Sequence, residues 1–230
     1  RPVRILALET STRRATIVLA DGERTVASRH HDDPLTHDEH LIPLIDEVVA
    51  EAGITKSSLD VIACGIGPGS FTGVRVALAT TKGIALALDR PIVGIGSLRA
   101  MAAGIDEPRP ELVVPVLDAR KQELFVAVYD AAGAERLAPI HVPRASFAEL
   151  VAPYLAQGAV VIGEVASELD LDPAVVRRGD RSDLPDASVI ARLAFARARS
   201  SDFDSLHALE PIYVRPPDIH PQASQRIARP

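Results

Sequence analysis

Apolar and polar positions divide the chain into short buried runs and longer helical stripes, and the same order comes round twice. Val3–Glu9 reads as an apolar strand, and Ala15–Ala20 as its hairpin partner. Asp21-Gly22 turns the chain into a third strand, Arg24–His30. From Thr36 or His37 to Ala52, apolar residues at Leu41, Leu44, Ile45, Val48, Val49 and Ala52 follow a helical period. Gly53 stands where a left-handed residue ends such a helix. Leu59–Ile66 is a buried strand, Thr72–Leu88 an Ala-rich helix and Pro91–Ile95 a further strand.

About 108 residues later, a spacing of one domain half, the pattern repeats. Leu112–Asp118 and Leu124–Asp130 read as strands, and Gly133 turns toward a third near Leu137–Val142. Ser146–Ala156 reads as a helix with Ser146 as N-cap and Glu149 at the capping-box position. Ala159–Ile162 is the next buried strand and Ala187–Ser200 the last helix. Two fused ββαβα-type halves predict an α/β fold with a mixed sheet in each half and a cleft between them. The expected division is 1–106, 107–215 and a Pro-rich tail, 216–230, expected to be disordered.

The chain has 230 residues and a formal net charge of −6, which argues against a free-standing nucleic-acid binder. One cysteine, Cys64, excludes a disulfide framework and a cysteine zinc site; in its apolar run it reads as a small buried hydrophobe. No leader peptide is visible before the first strand. The longest apolar stretch, Val74 to Ile95, is broken by Lys82, Asp89, Arg90 and Pro91, so no membrane association is expected and the expected location is the cytoplasm.

The duplicated pattern resembles the actin, sugar kinase and Hsp70 superfamily, whose halves are ribonuclease-H-like. That resemblance implies three nucleotide-contacting loops. The first corresponds to Glu9-Thr10-Ser11-Thr12, with Glu where such proteins usually have Asp; a plain polar hairpin turn explains the hydroxyls equally well. The second is Asp118-Ala119-Arg120, with Arg120 where a glycine would admit phosphate. The third is Val161-Ile162-Gly163-Glu164, with one glycine instead of two. Thr10, Ser11, Thr12, Asp118 and Gly163 thus mark a vestigial nucleotide site, with weak or absent nucleotide binding and no cofactor expected.

The densest motif is Gly65-Ile66-Gly67-Pro68-Gly69-Ser70-Phe71-Thr72-Gly73-Val74-Arg75, between a buried strand and a helix that Ser70 or Thr72 can cap. It lacks the Gly-Lys-Ser/Thr of a P-loop and the spacing of a Rossmann turn. With Ile5–Thr12, His37-Asp38-Glu39-His40-Leu41-Ile42-Pro43, Asp118-Ala119-Arg120 and Glu210-Pro211-Ile212-Tyr213-Val214-Arg215, it resembles the TsaB (YeaZ) family, the partner subunit in bacterial tRNA threonylcarbamoyladenosine synthesis. The resemblance is strong over 3–104 and thinner over 105–215.

That family is similar to the catalytic subunit TsaD, which transfers threonylcarbamoyl to N6 of adenosine 37 in ANN-decoding tRNAs. The catalytic relative has two metal-binding histidines four apart on a helix; Ser97 and Met101 occupy those positions here. The resemblance therefore implies a scaffold that binds and activates a TsaD-type subunit, with no metal and no catalytic residue. It implies a homodimer when alone, an accessory TsaE-type ATPase reached through the complex, and tRNA contacted indirectly. The helices near 37–52 and 72–88 would make the partner interface, with His37, Leu41, Leu44, Ile45, Val48, Ala77 and Gly83 as candidates; covering their own sheet is the simpler use of those stripes.

Other features carry less. His30, His31, Asp32, Asp33, His37, Asp38 and His40 suggest a metal cluster, but Pro34 divides it, and acidic residues at a helix start are explained by the macrodipole. Arg177, Arg178 and Arg181 form a basic patch interrupted by Asp180 and Asp183, more simply a solvated loop than an RNA contact. No nucleophile elbow is readable. The competing readings are a glycoprotease-like peptidase and an actin-like ATPase.

Overall fold

The computed structural model describes residues 2–32, 37–179 and 181–214, with the side chains of 37–39 also left aside. The expected tail, Arg215, Asp180, and Asp33 and Pro34 of the histidine-rich segment lie outside the described residues.

The first five strands are β1 (Arg4–Glu9), β2 (Ala15–Asp21), β3 (Arg24–His31), β4 (Val61–Gly65) and β5 (Ile92–Ile95). They form one sheet in the order β3-β2-β1-β4-β5. β1 is antiparallel to β2 and parallel to β4, with Ala7 opposite both Val18 and Ala63. The second set is β6 (Leu112–Arg120), β7 (Glu123–Asp130), β8 (Glu135–Pro143), β9 (Val160–Ile162) and β10 (Val176–Arg177). Its order, β10-β9-β6-β7-β8, has the same pattern of parallel and antiparallel pairs, so the repeat in the sequence is a repeat of topology. The central strands of both sheets are buried on both faces, as parallel pairing requires.

Helices α1 (His37–Glu51) and α2 (Phe71–Leu88) lie side by side on one face of the first sheet. Leu41, Ile45, Val48, Ala77, Leu78 and Ala85 pack there with Leu6, Leu8, Ile17 and Ile62. Two other helices cross over between the halves. α3 (Ser97–Ala103), absent from the elements read from periodicity, covers the second sheet through Leu98 and Met101. α5 (Ala187–Arg199), late in the chain, closes the back of the first sheet through Ala187, Ile190, Ala191 and Ala194. A division drawn at residue 106 thus separates the sheets but not the helices packed on them. The outer face of the second sheet is covered by α4 (Phe147–Leu155).

Two local readings need correction. α2 starts one residue earlier than the periodicity suggested and is capped by Ser70, whose hydroxyl accepts from Gly73 N at 3.3 Å. Ser146 does not form a capping box: a 3-10 turn, Arg144–Ser146, already leads into α4, so Ser146 has helical backbone angles and its side chain caps nothing. α2 is long and apolar enough to cross a membrane by length and composition alone; 33% of it is buried inside the protein, and Arg75 and Lys82 interrupt its apolar run.

Candidate functional site

A cleft of about 1030 Å³ lies between the two halves. Its walls bring together the strand-end turns and the glycine loop: Ser11, Thr12 and Arg13 after β1, Pro68 to Thr72 before and in α2, and Asp118 to Lys121 at the end of β6. Glu164 and Val165, just after Gly163, complete the wall with the segment Pro211–Val214. Sequence reasoning placed these loops in one region, and the fold does so.

What the loops do with their polar groups differs residue by residue. Glu9 is fully buried, accepting hydrogen bonds from Ser11 N at 2.5 Å and from the Ser97 hydroxyl at 3.1 Å. Burial pushes its carboxyl above the ordinary value, outweighing those donors, and the nearby Asp186 charge acts in the same direction. Gly65 leaves the space this carboxyl fills, since a Cβ there would overlap it. Thr10 does not face the cleft: it is buried, and its hydroxyl donates to Gly73 O at 2.6 Å. A Cβ at Gly73 would run into the Thr10 carbonyl, so the α2 start and the β1 turn fit together only with glycine here.

The glycine loop is therefore a joint between backbones. Ser70 N donates to Ser11 O at 2.6 Å, Ser97 N to Gly67 O at 2.7 Å and Ile212 N to Ile66 O at 2.8 Å. It connects the β1 turn, α3 and the segment Pro211–Val214. Gly163, at φ +128°, lies where a side chain would strike the Val116 carbonyl; its glycine serves the contact between β9 and β6. Asp118 is exposed and accepts from Arg120 N at 2.9 Å. Arg120, Lys121 and Gln122 all have positive φ at the hairpin tip, a conformation costing about 1 kcal/mol or more for each non-glycine residue. Across the cleft, Arg13 pairs with Glu164 at 2.9 Å.

At the cleft mouth, Arg75 lies over the Phe71 ring at 3.7 Å and donates from Nε to the Tyr213 hydroxyl at 2.9 Å. Phe71 and Tyr213 are 43% and 46% exposed, in a chain with only eight Phe and Tyr residues together. The Phe71–Tyr213 partnership joins residues 142 apart in sequence, and no local signal announces it.

The partner-helix candidates divide sharply. Leu41, Ile45, Val48 and Ala77 are wholly buried against their own sheet, which corrects their assignment to a surface; Leu44 is half-buried and Gly83 exposed. The His37 side chain is outside the described residues. The outward face includes Ile42, Pro43, Ala79, Gly83, Leu86 and Ala87, with Ile42 48% and Leu86 70% exposed, as well as the charged Asp46, Glu47 and Arg75. Of the histidine-rich segment, the His31 and His40 rings meet at a tilt with centroids 4.4 Å apart and His30 lies 3.9 Å from Asp32; no group of three or more metal-ligating side chains occurs among the described residues. Cys64 is buried and its thiol is pushed up to about 12. Ser97 and Met101 are buried on α3, the one bonded to Glu9 and the other in the core of the second sheet.

Comparison with known proteins follows the same lines. The family model for TsaD, tRNA N6-adenosine threonylcarbamoyltransferase, matches residues 25–189. The tRNA threonylcarbamoyladenosine biosynthesis protein TsaB of Haemophilus influenzae is 40% identical over 126 residues, 53% of this chain and 51% of that protein. The chain spans about half the length of the curated relatives it matches. The structure of YeaZ from Pseudomonas aeruginosa superposes with a TM-score of 0.78 at 29% identity, covering 92% of this chain and 99% of that one. Component A of the (R)-2-hydroxyglutaryl-CoA dehydratase of Acidaminococcus fermentans, at 12% identity and a TM-score of 0.51, covers 86% of this chain and 99% of its own; it shares the two-halved fold and nothing more.

Proposed function

The chain belongs to the family described as TsaD, tRNA N6-adenosine threonylcarbamoyltransferase, and within it to the TsaB (YeaZ) group, and from that premise we propose that it is a non-catalytic subunit of threonylcarbamoyladenosine synthesis. It works by binding a TsaD-type catalytic subunit. That subunit carries out threonylcarbamoyl transfer to N6 of adenosine 37, and this chain supplies a docking surface. An accessory TsaE-type ATPase is reached through the complex, and the chain pairs with itself when the catalytic subunit is absent, in the cytoplasm.

The observation that carries this reading is the outward face of α1 and α2. A helix layer normally turns polar residues to solvent once its inner stripe has covered a sheet. Here Ile42 on α1 and Leu86 on α2 stand outward, and α2 also exposes the small residues Ala79, Gly83 and Ala87, which allow another helix to approach closely. Support for a non-catalytic role comes from α3, where the serine hydroxyl and the thioether are both committed to internal contacts. The vestigial nucleotide site is proposed to be a structural remnant: Thr10 and Gly163 serve backbone packing, and Arg120 stands at the mouth.

Reconstitution tests the reading. Catalytic subunit, adenylate-forming enzyme and accessory ATPase are assayed on an ANN-decoding tRNA with and without this chain. Modification is expected only with it. Equal modification in its absence refutes the proposal, as does turnover by the chain alone.

A further inference from the structure

Five arginines converge on the segment leading out of α3. Arg109 and Arg192 both donate from Nη2 to the carbonyl oxygen of Ala103, at 2.7 and 2.6 Å, so two guanidinium groups meet on one acceptor. Arg177 Nη1 donates to the carbonyl of Pro108 at 2.6 Å and that of Asp106 at 3.4 Å. Arg181 pairs with the Asp106 carboxylate at 3.0 Å. Arg99, on α3, stands over the Tyr129 ring at 5.6 Å. At this point the two segments that cross between the sheets touch, because a Cβ at Gly104 would overlap the Arg181 carbonyl.

The end of a helix attracts a cation, but its partial charge is about half a unit. Five guanidinium groups exceed that need in a chain whose formal net charge is −6. Asp106 offsets Arg181, and Glu107 lies 3.6 Å from Arg109. Among the described residues, no ion pair forms with Arg99 or Arg192. Burial is the main cause that holds the Arg192 guanidinium below its ordinary value, and the charges of Arg109, Arg181 and Arg99 add to it. Glu23 opposes that effect from the side of the first sheet. Arg109, Arg181 and Arg192 are exposed, while Arg99 is half-buried, its guanidinium reaching Gly133 with Asp130 and Glu135 among the charges it faces.

We propose that Arg99, Arg109 and Arg192 form a phosphate-binding face for an RNA backbone, on the side of the molecule where the two connecting segments cross. Guanidinium groups hold phosphate by paired hydrogen bonds, and several of them gathered on one side suit a chain of phosphates better than a single small anion. The choice of RNA over another polyanion rests on the proposed role in tRNA modification, and it makes the tRNA contact direct where the family resemblance and the net charge of −6 imply an indirect one.

Binding of a labelled tRNA transcript to the full chain, followed by anisotropy from about 50 to about 200 mM salt, tests this. R99Q/R192Q is expected to weaken binding about fivefold or more and to lower the slope of log affinity against log salt by about two. R192K keeps the slope, and R29Q, whose arginine is paired with Glu47 and Glu51 elsewhere, changes neither quantity. Should the double variant melt early, R109Q is read instead, with a slope change of about one. Unchanged affinity and slope overturn the proposal. So does full displacement of the tRNA by inorganic phosphate, which marks a small-anion site, or by polyglutamate of matched charge, which marks a protein partner. The measurement needs no catalytic subunit, so a failed modification assay removes the proposed function without touching this result, and the reverse.

Discussion

The two halves share one topology and differ in what they turn outward. Over the first sheet, α1 and α2 bury Leu41, Ile45 and Val48 inward and still turn the large hydrophobics Ile42 and Leu86 outward, among the charged Asp46, Glu47 and Arg75. Over the second, α4 buries Phe147 and Val151 and turns Ala148, Glu149, Ala152 and Pro153 to solvent. Every large hydrophobic residue exposed among the described residues lies in 42–86 or 203–213. A duplicated frame thus supports two surfaces under different constraints, and only the first has the look of an interface.

The same contrast holds at the strand ends. Glu9 and Asp118 stand at corresponding turns, and each accepts a hydrogen bond from the backbone N–H two residues on. Glu9 is sealed beneath Gly65 and Ser97, whereas Asp118 is open to the cleft. One turn has become part of the core and the other has stayed at the surface.

The largest effect on this comparison should come from inner faces. Ile45→Ala is expected to cost about 2–4 kcal/mol and Phe147→Ala about 3–5 kcal/mol in chemical denaturation, because both leave cavities. Ile42→Ala, on the outer side of the same helix, should stay within about 0.5 kcal/mol. A loss at Ile42 approaching that at Ile45 would mean the outer face is not free.

Glu9 gives a pH test with a definite sign. Its folded value lies above the ordinary 4.5, so the folded state keeps a proton the unfolded state releases. Its contribution is therefore fully present below about that value and is lost as pH rises through the folded one. Glu9→Gln should flatten the fall in stability on the alkaline side, by at most about 1.4 kcal/mol per pH unit. Parallel stability–pH curves for both proteins would show that the carboxyl is not held protonated.

Smallest is Arg13→Ala, which removes the pair with Glu164 across the cleft. Both side chains are partly exposed, so the change in melting free energy should be below about 1 kcal/mol.

Much of the fold was legible. Strand positions other than β10, the repeat and the burial of Cys64 follow from apolar runs and turn residues with local causes. The crossing of α3 and α5 to the opposite sheets was not legible, because periodicity shows that a helix has an apolar face and not which sheet that face meets. For the same reason Leu41, Ile45, Val48 and Ala77 stood among the interface candidates: α1 and α2 are apolar around so much of their circumference that inner and outer residues look alike. The cleft loops were found because glycine and hydroxyl clusters are local signals. The Arg75–Phe71–Tyr213 group and the arginines around Ala103 depend on contacts between distant segments, and no spacing rule reaches them.

The most direct measurement is the affinity of this chain for a TsaD-type subunit after reversal of the outer face. Leu86→Asp and Ile42→Asp are each expected to weaken association tenfold or more while leaving the melting temperature within a few degrees, and Ala152→Asp on α4 to leave association unchanged. Wild-type affinity in both α1 and α2 variants, or an equal loss from the α4 variant, would contradict the account.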